Sequence, residues 1–234
     1  MLKKIKTTIK KLFITDPKFK TRKKTGSKKL HVIAVAFQKH GQLKVFVQSW
    51  INQSEKNWIL TVIHDGNDEQ FMEIMRSYKQ TNPDKINYYC TEKRFNDWGH
   101  SLREIGLKDA CGDYVLLTNA DNYYVPKSLE FINDELDIIR PTDPDVVLFN
   151  MVHSHNHPGS TKLPAYSYFD TSFKINHLDM GAAIVKTNLA KKVGFSDKSY
   201  AADAVYFESI DQSMRLKGEK LSIVKIPRVL LVHN

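Results

Sequence analysis

The chain has 234 residues, 41% of them hydrophobic and 11% aromatic, enough for one substantial core and suited to a single domain with a short appendage. Its net charge of +9 belongs to one end: residues 1–29 carry twelve Lys or Arg and one acid (Asp16), which is +11, and the remaining 23 basic and 25 acidic residues sum to −2. A near-neutral body argues against nucleic acid as partner, two cysteines exclude a disulfide framework and suit a reducing compartment, and no apolar stretch approaches the roughly 20 residues of a membrane span.

In the basic amphipathic N-terminal segment, residues 1–29, Leu2, Ile5, Ile9, Leu12 and Phe13 recur at helical spacing between lysines, which predicts a basic amphipathic helix. Such a helix can lie on an anionic membrane surface; a solvated tail or a helix docked on another subunit fits the same pattern. No apolar core of a signal peptide follows the basic start, so the expected location is the cytosol, peripheral to the cytoplasmic face of a membrane.

From Leu30 strand-like and helix-like blocks alternate. His31–Phe37 is an apolar, β-branched run, and Gln42–Asn52 carries Leu43, Phe46, Val47, Trp50 and Ile51 on one helical face. The pattern repeats through strand Trp58–His64 and helix Asp68–Gln80, then strand Ile86–Cys90 and helix Trp98–Ala110, stopped by Gly112. Strand 113–118, helix 127–139 and a fifth strand, Asp145–Asn150, follow. Four β-α units in a row predict an α/β fold with a mainly parallel sheet and helices on both faces. The segment VHSHNHPGSTKLPAYSYFD then reads as a long loop. Beyond it come a strand (Ala182–Lys186), a short helix near Asn188–Val193, a helix from about Asp203 to Leu216, and a terminal pair of strands, Leu221–Ile226 and Val229–His233.

TNADNYYVP (118–126) carries the sharpest functional signal. Asp121 sits where a strand ends ahead of a helix, the edge at which open α/β sheets bind ligands, and a carboxylate there can hold a divalent cation against a diphosphate. Taken alone, the stretch reads better as a surface turn whose Asn and Asp serve backbone groups. Neither GxxxxGKS nor GxGxxG follows the first strand, which continues AVAFQKHGQ, so a bound nucleotide needs another way to neutralise its phosphates. His153, His155 and His157 alternate, but no Cys or carboxylate nearby completes a metal site, and the segment reads as a mobile loop over the active site. His233 ends an apolar strand and can reach the same sheet edge as Asp121.

HDGND (64–68), RFNDWGHSLREIGLKDACGDYVLLTNADNYYVP (94–126), DMGAAIVKTNLAKKVGF (179–195) and a late helix ending MRLKG resemble, in that order, the family-2 glycosyltransferases of the GT-A fold. The resemblance spans about residues 30–234 and implies a Rossmann-like single domain, with residues 30–126 as nucleotide-binding half and 127–234 as acceptor-binding half. It implies that Ala36, Phe37 and Asp65 contact the base and ribose. Arg103 matches the arginine of the family's GxxxARNxG stretch, with Glu104 where Asn is usual. Asn119, Ala120 and Asp121 match the DxD motif with its first carboxylate replaced by an amide, which leaves Asp121 as the metal ligand; His233 falls where members supply a further one. Asp179 to Gly181 would floor the acceptor site. Members carry a Glu-Asp pair early in the late helix, and counting back from Arg215 and Leu216 puts that pair at Glu208 and Ser209. Serine is no base at neutral pH. Asp203, which resembles members with Gly-Asp-Ala, and Glu208 remain as candidate bases, ahead of Asp211; each is equally an N-cap or an exposed helical carboxylate.

The implied activity is an inverting transfer from a nucleotide-diphosphate sugar, a UDP-sugar first, to a glycan or lipid-linked acceptor, with Mn²⁺ or Mg²⁺ on Asp121 and His233. A nucleotidyltransferase, or a non-enzymatic nucleotide- or membrane-binding protein of the same fold, remains open as an alternative.

Overall fold

A computed structural model describes residues 27–139 and 143–234. The expected amphipathic helix, with its apolar stripe from Leu2 to Phe13, lies outside the described residues. One nine-stranded sheet runs through the molecule. The first four strands, β1 (Leu30–Ala36), β2 (Trp58–His64), β3 (Ile86–Cys90) and β4 (Tyr114–Asn119), lie side by side in the order 3-2-1-4, all parallel. They are joined by α1 (His40–Ile51), α2 (Glu69–Thr81) and α3 (His100–Lys108). Past β4 lie β8 (Ala183–Lys186), antiparallel to it, then β6 (Val146–His153) and β9 (Ile223–His233). β6 and β9 run parallel to one another and in the sense of β1 to β4. β5 (Tyr123–Tyr124) closes the far edge on β9, and β7 (Ser167–Phe169) pairs with the end of β6. Helix α4 (Ser128–Ile139) precedes β6, while α5 (Thr187–Val193) and α6 (Ala202–Arg215) follow β8.

Burial of β1 on both faces explains this layering. Val32, Ala34 and Ala36 face a core built with Leu43, Phe46 and Trp50 of α1, Phe71 and Met75 of α2, and Leu129 and Ile132 of α4. Ile33 and Val35 face the opposite core with Leu102 and Leu107 of α3, Leu189 of α5 and Ile210 of α6. A strand covered on both sides reads as a continuous apolar run, which is how LHVIAVA reads. Gly106 lets α3 sit close: a Cβ there would lie 2.5 Å from Ile33 Cγ2 and 2.9 Å from Ile63 Cδ1.

The structure departs from the sequence reading in the second half. The expected terminal pair of strands is one strand, β9, whose register against β6 jumps from Phe149↔Ile226 to Asn150↔Val229. Pro227, which has no N–H to give a ladder, falls inside the jump. The segment expected as loop from residue 151 contains the end of β6, all of β7 and a short 3-10 turn, Pro158–Ser160. Among the described residues no helix is long and apolar enough to cross a membrane. Residues 28 and 29, assigned by charge to the basic segment, are held to the body: Lys28 N–H donates to Asn133 Oδ1 (3.2 Å) and Lys29 N–H to Asp113 Oδ2 (2.7 Å).

Candidate active site

Parallel register brings Ala36, His64 and Cys90 level with one another at the carboxyl ends of β1, β2 and β3, and Asn119 level with Val35. At that edge a cavity of about 490 Å³ opens. Its lining includes Ala36, Phe37, Lys39, Asp65, Arg94 and Asp121. Asp65, buried, ties down one wall: Oδ1 accepts from Phe95 N–H (2.7 Å) and Oδ2 from Asn96 N–H (3.0 Å). Arg94 Nε lies 3.9 Å from the same carboxylate, and the Arg94 guanidinium is 3.7 Å from the centroid of the Phe37 ring. Gln38, Lys39, Asn96 and Trp98, all in the lining, are four of the eight non-glycine residues with positive φ among the described residues. Left-handed backbone is uncommon outside glycine and gathers at functional sites.

The turn after β4 is locked from beneath. Asn122 Nδ2 donates to Thr118 Oγ1 (3.0 Å), and the Tyr124 hydroxyl lies 2.8 Å from Thr118 Oγ1 and 2.9 Å from the Gly181 carbonyl, which accepts. Gly181 carries no Cβ because one would sit 2.9 Å from that hydroxyl. Asn234 N–H donates to Asn122 Oδ1 (3.1 Å) and Asn234 Nδ2 to the Asp121 carbonyl (2.9 Å), which brings the end of β9 against the turn. Asp121 is therefore fixed at its backbone. Oδ2 accepts from Lys39 Nζ at 2.6 Å, and Oδ1 is buried without a hydrogen-bond partner among the described residues.

Asn119 has a different task. Its Oδ1 accepts from Arg103 Nη2 (2.6 Å), while Arg103 Nη1 donates to the Trp98 carbonyl (2.9 Å). Burial lowers the Arg103 pKa, and the carboxylates of Asp203, Asp179, Asp97 and Asp121 oppose that shift. Burial pushes the Asp203 carboxyl above the usual aspartate range; Arg103 pulls it down, Asp179 pushes it up, and His233 pulls it down again. Asp203 Oδ1 has no hydrogen-bond partner among the described residues. Glu104, the residue where the resemblance calls for Asn, turns away to Lys198, whose Nζ donates to Oε2 at 2.7 Å. Glu208 and Asp211 open instead onto a separate cleft of about 200 Å³ with Phe173, Lys174 and Ile175.

His233 Nε2 lies 3.4 Å from Asp179 Oδ2, and its Nδ1 is buried without a partner among the described residues. The ring stacks on His153 at 4.4 Å between centroids, with His155 at 5.4 Å. Burial and the neighbouring His233 lower the His153 pKa to about 4, so it is neutral at pH 7. His157, the third of the alternating histidines, stands exposed at a left-handed position (φ 54°) and is not in this group. The candidates Ala36, Phe37, Asp65, Asn119, Ala120 and Asp121 thus share the cavity, with Arg103 against Asn119, whereas Asp203 and His233 lie outside its lining; Asp179 stands 3.4 Å from His233, and its charge acts on Asp203. Lys39 and Arg94 were not singled out by sequence. For Lys39 the one local signal is its place three residues past the end of β1, on the turn at the sheet edge.

A family model described as Glycosyl transferase family 2 matches residues 31–187, more than half of the chain. A curated relative, an "Uncharacterized glycosyltransferase" of Rickettsia bellii, is 30% identical over 84 residues, 36% of this chain and 11% of that protein. Among solved structures, S. aureus TarS superposes with a TM-score of 0.66 at 19% identity over 88% of this chain and 36% of that one. TarS 1–349 in complex with UDP gives 0.65 at 20%, covering 87% and 60%. The mannosyltransferase PcManGT from Pyrobaculum calidifontis, in complex with GDP-Man and Mn²⁺, gives 0.64 at 14%, covering 89% and 57%. At these identities the likeness is one of fold, the GT-A arrangement, and this chain spans less than two thirds of each relative's length.

Proposed function

The chain belongs to glycosyl transferase family 2, and from that premise we propose that it transfers a sugar from a nucleotide-diphosphate donor to an acceptor hydroxyl, with inversion and with a divalent cation. The observation that carries the reading is Asp121: a carboxylate on the cavity at the carboxyl edge of the sheet, with one oxygen buried and without a hydrogen-bond partner among the described residues, and the other already holding a cation, the Lys39 ammonium. Relatives of the same fold bind UDP and GDP-Man, which is the chemistry this cavity would accept.

Asp121 Oδ1 is a buried oxygen with no hydrogen-bond partner among the described residues, a cost that a ligated hard divalent ion would remove. Asp121, with His233 as the further ligand the family resemblance implies, would hold the ion, which would supply positive charge to the diphosphate as the leaving group departs. Phe37, Ala36 and Asp65 line the part of the cavity assigned to the base and ribose, with Arg94 stacked on Phe37 as a movable flank. Lys39, released from Asp121 as the donor enters, becomes a second positive group for the phosphates. Arg103, buried and fixed by Asn119 and the Trp98 carbonyl, keeps a positive charge behind the turn.

Asp203 is the proposed base. The acceptor hydroxyl attacks the anomeric carbon from the face opposite the diphosphate, the bond from carbon to the diphosphate oxygen breaks, and the proton passes to the Asp203 carboxylate. Glu208 is the weaker candidate because it faces the separate cleft. Asp179, between His233 and Asp203 in the charge network, is assigned to the acceptor floor.

Donor hydrolysis tests the reading. Incubation with UDP-, GDP- and dTDP-sugars in the presence of Mn²⁺ should release one nucleoside diphosphate, and Asp121→Asn should slow that release by about 100-fold or more with the fold intact. An unimpaired Asp121→Asn variant rules the site out.

A further inference from the structure

Three histidines gather at the edge of the sheet beyond Asp121. β6 and β9 pair in parallel, and their last residues, His153 and His233, are register neighbours. His155, two residues further on, folds back over the pair: its backbone N–H donates to His153 Nδ1 (3.1 Å) and its ring is 4.9 Å from that of His153. One nitrogen from each of the three rings lies within 4.8 Å of the other two, in a cluster that does not include Asp121.

We propose that His153, His155 and His233 form a binding site for a borderline transition-metal ion of the zinc class, which competes with the donor-site cation for His233 and leaves that cation to Asp121. Three observations support the assignment. His233 Nε2 faces the Asp179 carboxylate at 3.4 Å, while Nδ1, the ring's other nitrogen, is buried with no hydrogen-bond partner among the described residues. A carboxylate behind a ligating imidazole is the usual support of such a metal site. His153 and His155 are close enough for modest side-chain rotation, exchanging the amide contact at His153 for a coordinate bond, to bring the three nitrogens to the roughly 3.3 Å mutual spacing of a tetrahedral ion with Zn–N near 2.0–2.1 Å. The donor set itself, three imidazoles without thiolate, selects zinc, cobalt, nickel or copper over magnesium, calcium or manganese. Three protein ligands leave a fourth position for water or an incoming group. His233 serves one ion at a time, so a metal on the histidines leaves the donor cation to Asp121 and the diphosphate.

The site does not depend on the transfer reaction, and its test reads the metal directly. The full untagged chain, stripped with chelator, is titrated with Co²⁺ while its visible absorption is followed, and then with competing Zn²⁺. One equivalent should give intense bands of a low-coordinate ion that Zn²⁺ displaces. His155→Ala, an exposed position, should weaken binding at least about tenfold, His153→Gln with His155→Ala should abolish the bands, and Asp179→Asn should weaken binding about 10–100-fold. Asp121→Asn should leave the bands in place. Failure of the wild-type chain to bind Co²⁺, bands untouched by the histidine variants, or bands lost in Asp121→Asn would each overturn the assignment.

Discussion

An amide at position 119 leaves Arg103 with a neutral partner, and the buried guanidinium must find its charge balance further off, in Asp203, Asp179, Asp97 and Asp121. That arrangement sets the chemistry expected of Asp203. Burial raises its pKa, so the folded chain holds the proton more tightly than the unfolded chain does. Two consequences follow with definite sign. As a base it works only when deprotonated, so kcat/KM should rise with pH through a pKa above the usual aspartate value, and Asp203→Asn should remove that limb together with most of the rate. For stability, the charged Asp203 opposes folding: the wild type loses stability as pH climbs from the unfolded aspartate pKa through the raised folded one. Asp203→Asn should therefore be more resistant to urea than wild type at pH 7, with the gap closing near pH 4. A variant less stable than wild type at pH 7 contradicts the assignment of the shift. Sequence could name Asp203, Asn119 and Asp121 because each lies in a contiguous motif. It could not name Lys39, whose contact with Asp121 spans 82 residues and depends on two left-handed residues in a row, nor the meeting of His153, His155 and His233, which the pairing of β6 with β9 creates.

At the scale of elements, the stretch GHSLREIG is a packing device as much as a site. Gly99 needs positive φ (82°) and would put a Cβ 2.6 Å from Val35 Cγ2, and Gly106 brings α3 onto Ile33 and Ile63. Gly106→Ala should destabilise the protein by about 1–3 kcal/mol in chemical denaturation, because the added methyl overpacks a closed contact and outweighs the gain in helix propensity. A stabilised Gly106→Ala protein would mean that α3 stands further from β1. The four β-α units of the first half were legible because β1, β2 and β4 are buried on both faces and their helices keep a clean apolar stripe. β5 and β7, two and three residues long, are too short to show a period, and their partners lie far off in sequence. β9 was read as two strands because Pro227 interrupts it, yet β6 keeps pairing on both sides of the irregularity.

For the whole molecule, charge is divided between a near-neutral body and the strongly basic residues 1–29, of which 28 and 29 are anchored to that body. The expectation that residues 1–25 bind an anionic membrane is a proposal of sequence, and co-sedimentation tests it: deletion of residues 1–25 should abolish binding to vesicles rich in anionic lipid at low salt. Unchanged binding after deletion would sink it. Calorimetric titration with UDP, GDP and dTDP, with and without Mn²⁺, tests directly whether the cavity takes a nucleoside diphosphate on Asp121. One of the three should bind, tighter with Mn²⁺, and Asp121→Asn should lose the Mn²⁺ effect; absence of binding by all three, in a folded protein, would rule the site out.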